Sequence, residues 1–235
     1  MCVLLIAIDM HPERRLMVAA NRDEQYARPA TVPRVHEAGD MRMLAPRDVQ
    51  AGGTWEGVHE SGLIVVITNR PDGDCDPQRA SRGQLCLEAL EQGRAVAVRE
   101  WIEAAVRTTR YNSFNLFYAD ARAAFVSSWN GTLHTQVLTG GTHALSNLHG
   151  LGALQIPEFN APIADEPALR AGFIDILASH EPRDARDFRI CKHGARYGTV
   201  SSSLLYTDTD GSAVLEHADG PPCTTAYRTF RLAVA

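Results

Sequence analysis

The sequence predicts an α+β fold, two mainly antiparallel sheets with helices packed on their outer faces, and three observations carry that reading. The elements run strands, two helices, strands, one helix, strands. Most links between successive strands are hairpin-length, which suits antiparallel pairing. No internal repeat or low-complexity linker divides the 235 residues, so a single domain over 1–235 is expected, long enough to bury a substantial core.

Residues 2–8 and 16–20 are apolar and flank the turn Met10-His11-Pro12-Glu13-Arg14, a β-hairpin. The polar, proline-containing stretch from Arg22 to Asp40 has the length of a functional loop rather than a connector. AGGTWEGVHESG (51–62) holds four glycines and leads into LIVVIT, a buried strand, and PDGDCDPQR (71–79) is loop. From Ser81 the spacing turns helical: Leu85, Ala89 and Leu90 share a face and Gly93 supplies the stop. AVAVREWIEAAVRTTR predicts a second helix. FNLFYA, AAFVSSW and TLHTQVL follow as strands, with Asn130-Gly131 as a two-residue hairpin signal between the last two. PALRAGFIDILASH (167–180) is helical, and TVSSSLLYT, SAVLEHA and TTAYRTFRLAV close the chain as strands. Asp208-Thr209-Asp210-Gly211 has part of a calcium-loop pattern. Tyr206 and His217 stand where that pattern needs its first and last carboxylates, so a hairpin turn is expected instead.

Hydrophobic residues make up 45% and charged residues 22%, an ordinary globular balance. A net charge of −5 without any run of Lys or Arg argues against a nucleic-acid surface. No segment approaches 18 uninterrupted apolar residues, so integral membrane association is not expected. CVLLIAI has no basic region before it and meets Asp9 at once, which makes a poor signal peptide. The five cysteines (2, 75, 86, 191 and 223) are odd in number and form no C-x-x-C. They fit a reducing, cytoplasmic setting and argue against a disulfide scaffold, a zinc ribbon or c-type haem attachment. The nine histidines form neither H-x-x-x-H nor H-E-x-x-H, so no metal site is indicated by spacing; a cluster assembled in space is invisible to this reading. Oligomeric state is not legible.

Cys2 is the residue with the most pointed chemistry. An initiator methionine is normally removed when a small residue follows it, and removal leaves a thiol and a free α-amine on one residue. The amine titrates near 7.7–8.0 and the thiol near 8.5, so the amine can serve as the thiol's own general base. The alternative is a small thiol packed inside. A tight hairpin returns Arg22 and Asp23 beside the N-terminus, where Asp23 can hold a protonated amine and Arg22 can lower the thiol pKa or bind an anion. The alternative there is a surface ion-pair cluster. Asn69 and Asn147 stand at strand ends, where an amide can donate to a developing oxyanion or can simply shape a turn. No G-x-S-x-G surrounds Ser201-Ser202-Ser203, so a serine-hydrolase elbow is unsupported.

Several motifs in this order resemble the NRDE family, also called the transport-and-Golgi-organisation-2 family. They are Met1-Cys2, NRDE at 21–24, GGTW at 52–55, TNR at 68–70, YNSFNL at 111–116, LSN at 145–147 and RYGT at 196–199. NRDE alone is weak; the ordered set is specific and covers most of the chain. The resemblance implies an N-terminal-nucleophile-hydrolase-like αββα sandwich, distantly similar to the choloylglycine hydrolase and penicillin acylase group. Carried over by that resemblance, Cys2, Arg22, Asp23, Asn69 and Asn147 match the group's catalytic set in kind and order. The spacing from Cys2 to the Arg/Asp pair differs, and Arg22 directly precedes Asp23. Val200 stands where the family commonly has an arginine after Gly-Thr, with Arg196 as the nearest replacement.

Two functions remain open at this point. In one, Cys2 attacks the carbonyl of a small hydrophobic amide, with Asp23 orienting the amine and Asn69 steadying the oxyanion; no cofactor is required. In the other, the same pocket carries a hydrophobic or amphipathic ligand. Members of the family have been linked to haem trafficking and acyl-CoA or lipid handling, so haem or an acyl-CoA is the ligand implied. Arg22, Arg70 and Arg196 would pair with its acidic groups. Trp55, Phe114 and Phe117 would supply apolar contact, although each also suits an ordinary core, and Tyr197 is a further ligand-binding candidate.

Overall fold

Period-two alternation along the strands sorts the apolar side chains into three separate cores, and the layers of the molecule follow from that sorting. The computed structural model describes residues 2–12, 14–39, 41–72, 75–154, 156–160, 165–208 and 212–233. The chain opens with β1 (Val3–His11), β2 (Arg14–Gln25), β3 (Ala30–Ala38), β4 (Met41–Asp48), β5 (Glu56–His59) and β6 (Ile64–Asn69). Helices α1 (Arg82–Leu90) and α2 (Ala95–Thr108) follow. Next come β7 (Phe114–Ala119), β8 (Ala124–Trp129), β9 (Leu133–Leu138), β10 (Gly141–Ser146) and the short β11 (Gly150–Leu151). Helix α3 (Glu166–Ala178) precedes β12 (Tyr197–Thr207), β13 (Ala213–Ala218) and β14 (Arg228–Leu232).

The strands form two seven-stranded sheets. The first runs β11-β10-β1-β2-β12-β13-β14 and the second is a meander, β3 through β9 in chain order without α1 and α2. Every pairing within them is antiparallel. On β1, Leu4, Ile6 and Ile8 face the second sheet and meet Leu44, Ile64, Val66 and Phe117. The alternate residues Val3, Leu5 and Ala7 pack with Leu169, Phe173 and Leu177 of α3. On the far side, Val65, Ile67, Leu116 and Tyr118 pack beneath Leu85, Leu90, Val98 and Ile102 of α1 and α2. The layers are therefore helix, sheet, sheet, helix, as expected. Ser81 caps α1 by accepting from the Gln84 N–H, and Asp165 caps α3 by accepting from the Ala168 N–H at 2.8 Å.

Four expectations need correction. The stretch from Arg22 to Asp40 is not one long loop: it completes β2 and supplies β3, which pairs with the equally unexpected β4. β3 lies at a sheet edge and skips register between Thr31 and Arg34, so Pro33 sits in a bulge where no ladder N–H is needed. The glycine-rich segment contains β5. The last strand starts at Arg228 rather than 224, because Thr224 and Thr225 turn back to donate to the Pro221 carbonyl. The β8–β9 connection has three residues between the paired Trp129 and Leu133, with Gly131 at φ +104°. Residues 209–211 of the expected turn after Asp208 lie outside the described residues. The turn is closed by the Asp208 N–H donating to the Ser212 carbonyl at 2.8 Å. Met1 and Glu13 also lie outside the described residues. All five cysteines are free thiols. No helix among the described residues is long and apolar enough to cross a membrane.

Candidate active site at the N-terminal end of the first sheet

Strand register assembles the site. Val3 pairs with Asn21 on one side and Ser146 on the other, so Cys2 comes opposite Arg22 and Asn147. The Cys2 N–H donates to Asn147 Oδ1 at 3.1 Å, and the Asn147 N–H donates to the Cys2 carbonyl at 3.3 Å. Asn147 thus clamps the backbone of the nucleophile candidate at both polar groups. With its oxygen occupied, the amide NH₂ is left for the adjoining cleft.

The four residues of NRDE divide by parity. Asn21 and Asp23 face α3, with Met17 and Ala19; Arg22 faces the second sheet, with Val18 and Ala20. Asn21 Nδ2 donates to the Leu177 carbonyl at 2.8 Å and to the Ile190 carbonyl at 3.1 Å, tying the end of α3 to the segment before β12. Arg22 is buried, stacks 4.2 Å over the Trp55 ring and pairs with Asp48 at 3.6 Å. Burial depresses its guanidinium pKa, against the pull of Glu24 and Asp48. The Asp23 carboxylate is fully enclosed: Lys192 Nζ donates to Oδ2 at 2.6 Å and Thr199 Oγ1 to Oδ1 at 2.7 Å. Tyr197 Oη donates to the Asp23 carbonyl at 2.9 Å. Glu24 pairs with Arg28 at 3.8 Å.

A bulge in β12 makes this arrangement fit. Thr199 pairs with Asp23 and Ser201 with Arg22, so Val200, where an arginine was looked for, is the extra residue between them. The Cys2 sulfur is closely surrounded although the residue as a whole is only partly covered. Burial pushes the thiol pKa up, and the Asp23 charge adds to that; the Asp23 backbone N–H and Lys192 pull it back down. Lys192 and Thr199 were not anticipated. The available signal was composition: Lys192 is the only lysine among 23 Lys and Arg residues.

Two clefts open nearby, one lined by Asn147, the hydrogen-bond partner of Cys2, and the other by Arg22, its cross-strand neighbour. One, of about 310 Å³, is lined by Asn69, Arg70, Arg82, Asn112, Asn147 and Tyr197 among others. The other, of about 330 Å³, carries Arg22, Trp55, Tyr26, Thr199 and Ser201. Of the expected residues, Cys2, Arg22, Asp23 and Asn147 therefore converge. Asn69 reaches the site from the end of β6, exposed on the first cleft. Arg70 is there too, but forms a two-pronged pair with Asp72. Arg196 is exposed on the turn before β12, where its carbonyl accepts from the Tyr26 N–H at 3.1 Å. Phe114 is not at the site: it is fully buried on the helix-facing side of the second sheet, edge-on to Tyr111. Phe117 is buried between the sheets.

Below Arg22 lies a polar group the sequence did not suggest. Ser203 Oγ donates to Glu56 Oε1 at 2.5 Å and lies 2.8 Å from His217 Nδ1, all three nearly inaccessible to water. Burial pushes the Glu56 carboxyl up to about 7, against Ser203, Trp55 and Arg22, and pushes His217 down to about 4. GGTW positions Trp55 through a close backbone approach. A Cβ on Gly53 would lie 2.3 Å from the Gly83 carbonyl carbon, and the Thr54 N–H donates to the Gly83 carbonyl at 3.0 Å.

The family model described as Transport and Golgi organisation 2 matches residues 1–157. The human Transport and Golgi organization protein 2 homolog is 25% identical over 250 aligned positions, covering 90% of each chain. The mouse homolog is 30% identical over 159 positions, 63% of this chain and 57% of that protein. Among solved structures, the Caenorhabditis elegans ortholog of N-acylethanolamine-hydrolyzing acid amidase superposes with a TM-score of 0.59 at 12% identity, over 87% of this chain and 92% of that one. A variant of the conjugated bile acid hydrolase of Clostridium perfringens gives 0.52 at 11%, over 100% and 98%. At such identities the likeness is one of fold, the αββα sandwich of N-terminal-nucleophile hydrolases.

Proposed function

The chain belongs to the transport and Golgi organisation 2 family, and from the geometry around its second residue we propose that it is a cysteine amidohydrolase of the N-terminal-nucleophile type, acting on a small hydrophobic amide. The observation that carries this reading is the setting of Cys2. Its backbone is clamped by Asn147, its sulfur meets the Asp23 backbone N–H within the field of Lys192, and Asn147 also lines the cleft that carries Asn69 and Tyr197. The two fold neighbours are by name an amide hydrolase and a conjugate hydrolase, which supports the reaction class by analogy only.

With Met1 removed, the Cys2 nitrogen is an amine. It takes the thiol proton, the sulfur bonds to the amide carbonyl carbon, and the resulting oxyanion is met by the Asn69 and Asn147 amides. The C–N bond then breaks, the leaving nitrogen takes the proton from the ammonium, and water hydrolyses the thioester to a carboxylic acid and free Cys2. The enclosed Asp23–Lys192 pair ties β2 to the segment ahead of β12 and sets the local charge. Every group in this scheme comes from the chain itself, and five free thiols suit a reducing compartment such as the cytoplasm.

Carriage of haem or an acyl-CoA is less well supported by the same residues. Arg22 and Arg70 already pair with Asp48 and Asp72, and Phe114 belongs to the core. The test is a panel of N-acyl amides and thioesters with wild type, Cys2→Ala and Cys2→Ser, alongside haem and acyl-CoA titrations. Turnover by protein lacking Met1, lost in Cys2→Ala, is the expected result. Turnover that survives in Cys2→Ala overturns the mechanism; tight, Arg22-dependent ligand binding without turnover establishes the carrier instead.

A further inference from the structure

Three distant segments meet behind Asp23, on the side of the first sheet that faces α3. His180 follows the end of α3, Cys191 and His193 flank Lys192 ahead of β12, and Cys223 lies in the turn after β13. Their ligand atoms all lie within 4.8 Å of one another. Cys191 Sγ is 3.6 Å from Cys223 Sγ and 3.8 Å from His193 Nε2, and His193 Nε2 is 3.2 Å from Cys223 Sγ. The His180 and His193 rings are 5.1 Å apart, centroid to centroid.

These separations can be compared with a coordination sphere. Zinc–sulfur bonds of about 2.3 Å and zinc–nitrogen bonds of about 2.0–2.1 Å place tetrahedral ligand atoms about 3.3–3.8 Å apart. The three sulfur–sulfur and sulfur–nitrogen distances fall in or beside that range. A disulfide needs its sulfurs at about 2.05 Å and has no use for two imidazoles pointing at the same spot. Two thiolates also neutralise a divalent cation, and sulfur with imidazole is the donor set zinc prefers. We infer that His180, Cys191, His193 and Cys223 form a structural site for a zinc-like divalent cation.

The site would have a defined task. Metal binding releases the two thiol protons and staples the end of α3, the segment before β12 and the Pro221 turn into one unit. Between two of its ligands sits Lys192, whose ammonium pairs with Asp23, and whose backbone exchanges hydrogen bonds with Thr199: Lys192 N–H to Oγ1 at 3.0 Å, Thr199 N–H to the Lys192 carbonyl at 2.9 Å. The cation would thus hold the charge partner of Asp23 in register. The inference is independent of whether Cys2 turns over an amide. Pairwise sequence spacing conceals the site, because its ligands come as H-x₁₀-C-x-H-x₂₉-C rather than as two close pairs.

The test uses reduced, full-length protein. Metal analysis after expression in zinc-supplemented medium should find about one zinc per chain. Chelation followed by cobalt(II) addition to the wild type should give thiolate-to-cobalt charge-transfer bands and the intense visible bands of tetrahedral cobalt. Cys223→Ser, at a partly exposed turn, should weaken cobalt binding by more than about 100-fold, while Cys75→Ser should leave it unchanged. The wild-type spectrum alone decides the matter if a variant fails to fold. Absence of tetrahedral thiolate bands in reduced wild-type protein, or bands that persist in folded Cys223→Ser, would overturn the inference.

Discussion

Replacing Glu56 by Gln separates two opposed pH dependences that sit side by side in the wild-type core. Glu56 is buried among Ser203, His217, Trp55 and Arg22, and its charge also reaches the Cys86 thiol of α1. Its carboxyl is raised from 4.5 to about 7, so the stability it contributes is full below 4.5 and lost as pH rises through about 7. His217 is lowered from 6.5 to about 4, so its contribution is full above 6.5 and lost as pH falls through about 4. Between about 4.5 and 6.5 the two slopes offset each other in the wild type. Glu56→Gln removes only the first. At 1.36 kcal/mol for each pH unit, the span from 4.5 to about 7 corresponds to about 3 kcal/mol. Urea unfolding of both proteins at about pH 4.5 and about pH 8 measures it. The variant's stability relative to wild type should rise by about 3 kcal/mol between the two conditions, whatever the substitution does to packing at either one. Parallel pH profiles would refute the burial of an ionisable Glu56 as described.

Two further substitutions probe the wall behind Cys2. Lys192→Met leaves the enclosed Asp23 carboxylate without its cation and should destabilise the fold by about 3 kcal/mol near neutral pH. It should also raise the Cys2 thiol pKa, which the pH dependence of alkylation at Cys2, followed by mass spectrometry of the N-terminal peptide, can read. Asn21→Ala removes the donor to two buried carbonyls, those of Leu177 and Ile190, and should lower stability by about 2–3 kcal/mol in equilibrium unfolding.

Local pattern was enough for the residues that share a hairpin. Because Val3 pairs with Asn21, Cys2 had to meet Arg22, and the tight β1–β2 turn made that readable. The helices and most central strands were legible for the same reason, since each announces itself within one window of periodicity. Lys192 and Thr199 were not, because they reach Asp23 from more than 160 residues away, across a β12 bulge that no spacing records. β3 was hidden by Pro33, which reads as loop until the strand is known to lie at an edge. Phe114 looked like a ligand contact, but its parity on β7 turns it toward Tyr111 and the helices. Side chains whose partners lie in the same hairpin were predictable; those whose partners come from distant stretches of the chain were not.

The central claim is that Cys2 is an N-terminal nucleophile, and the most direct measurement is the intact mass of the protein quenched during exposure to a hydrolysable N-acyl amide. The account predicts a chain lacking Met1 that carries one acyl group, mapped to Cys2 and absent from Cys2→Ala. Amide turnover by a chain that retains Met1, or with the acyl group on any other residue, would contradict it.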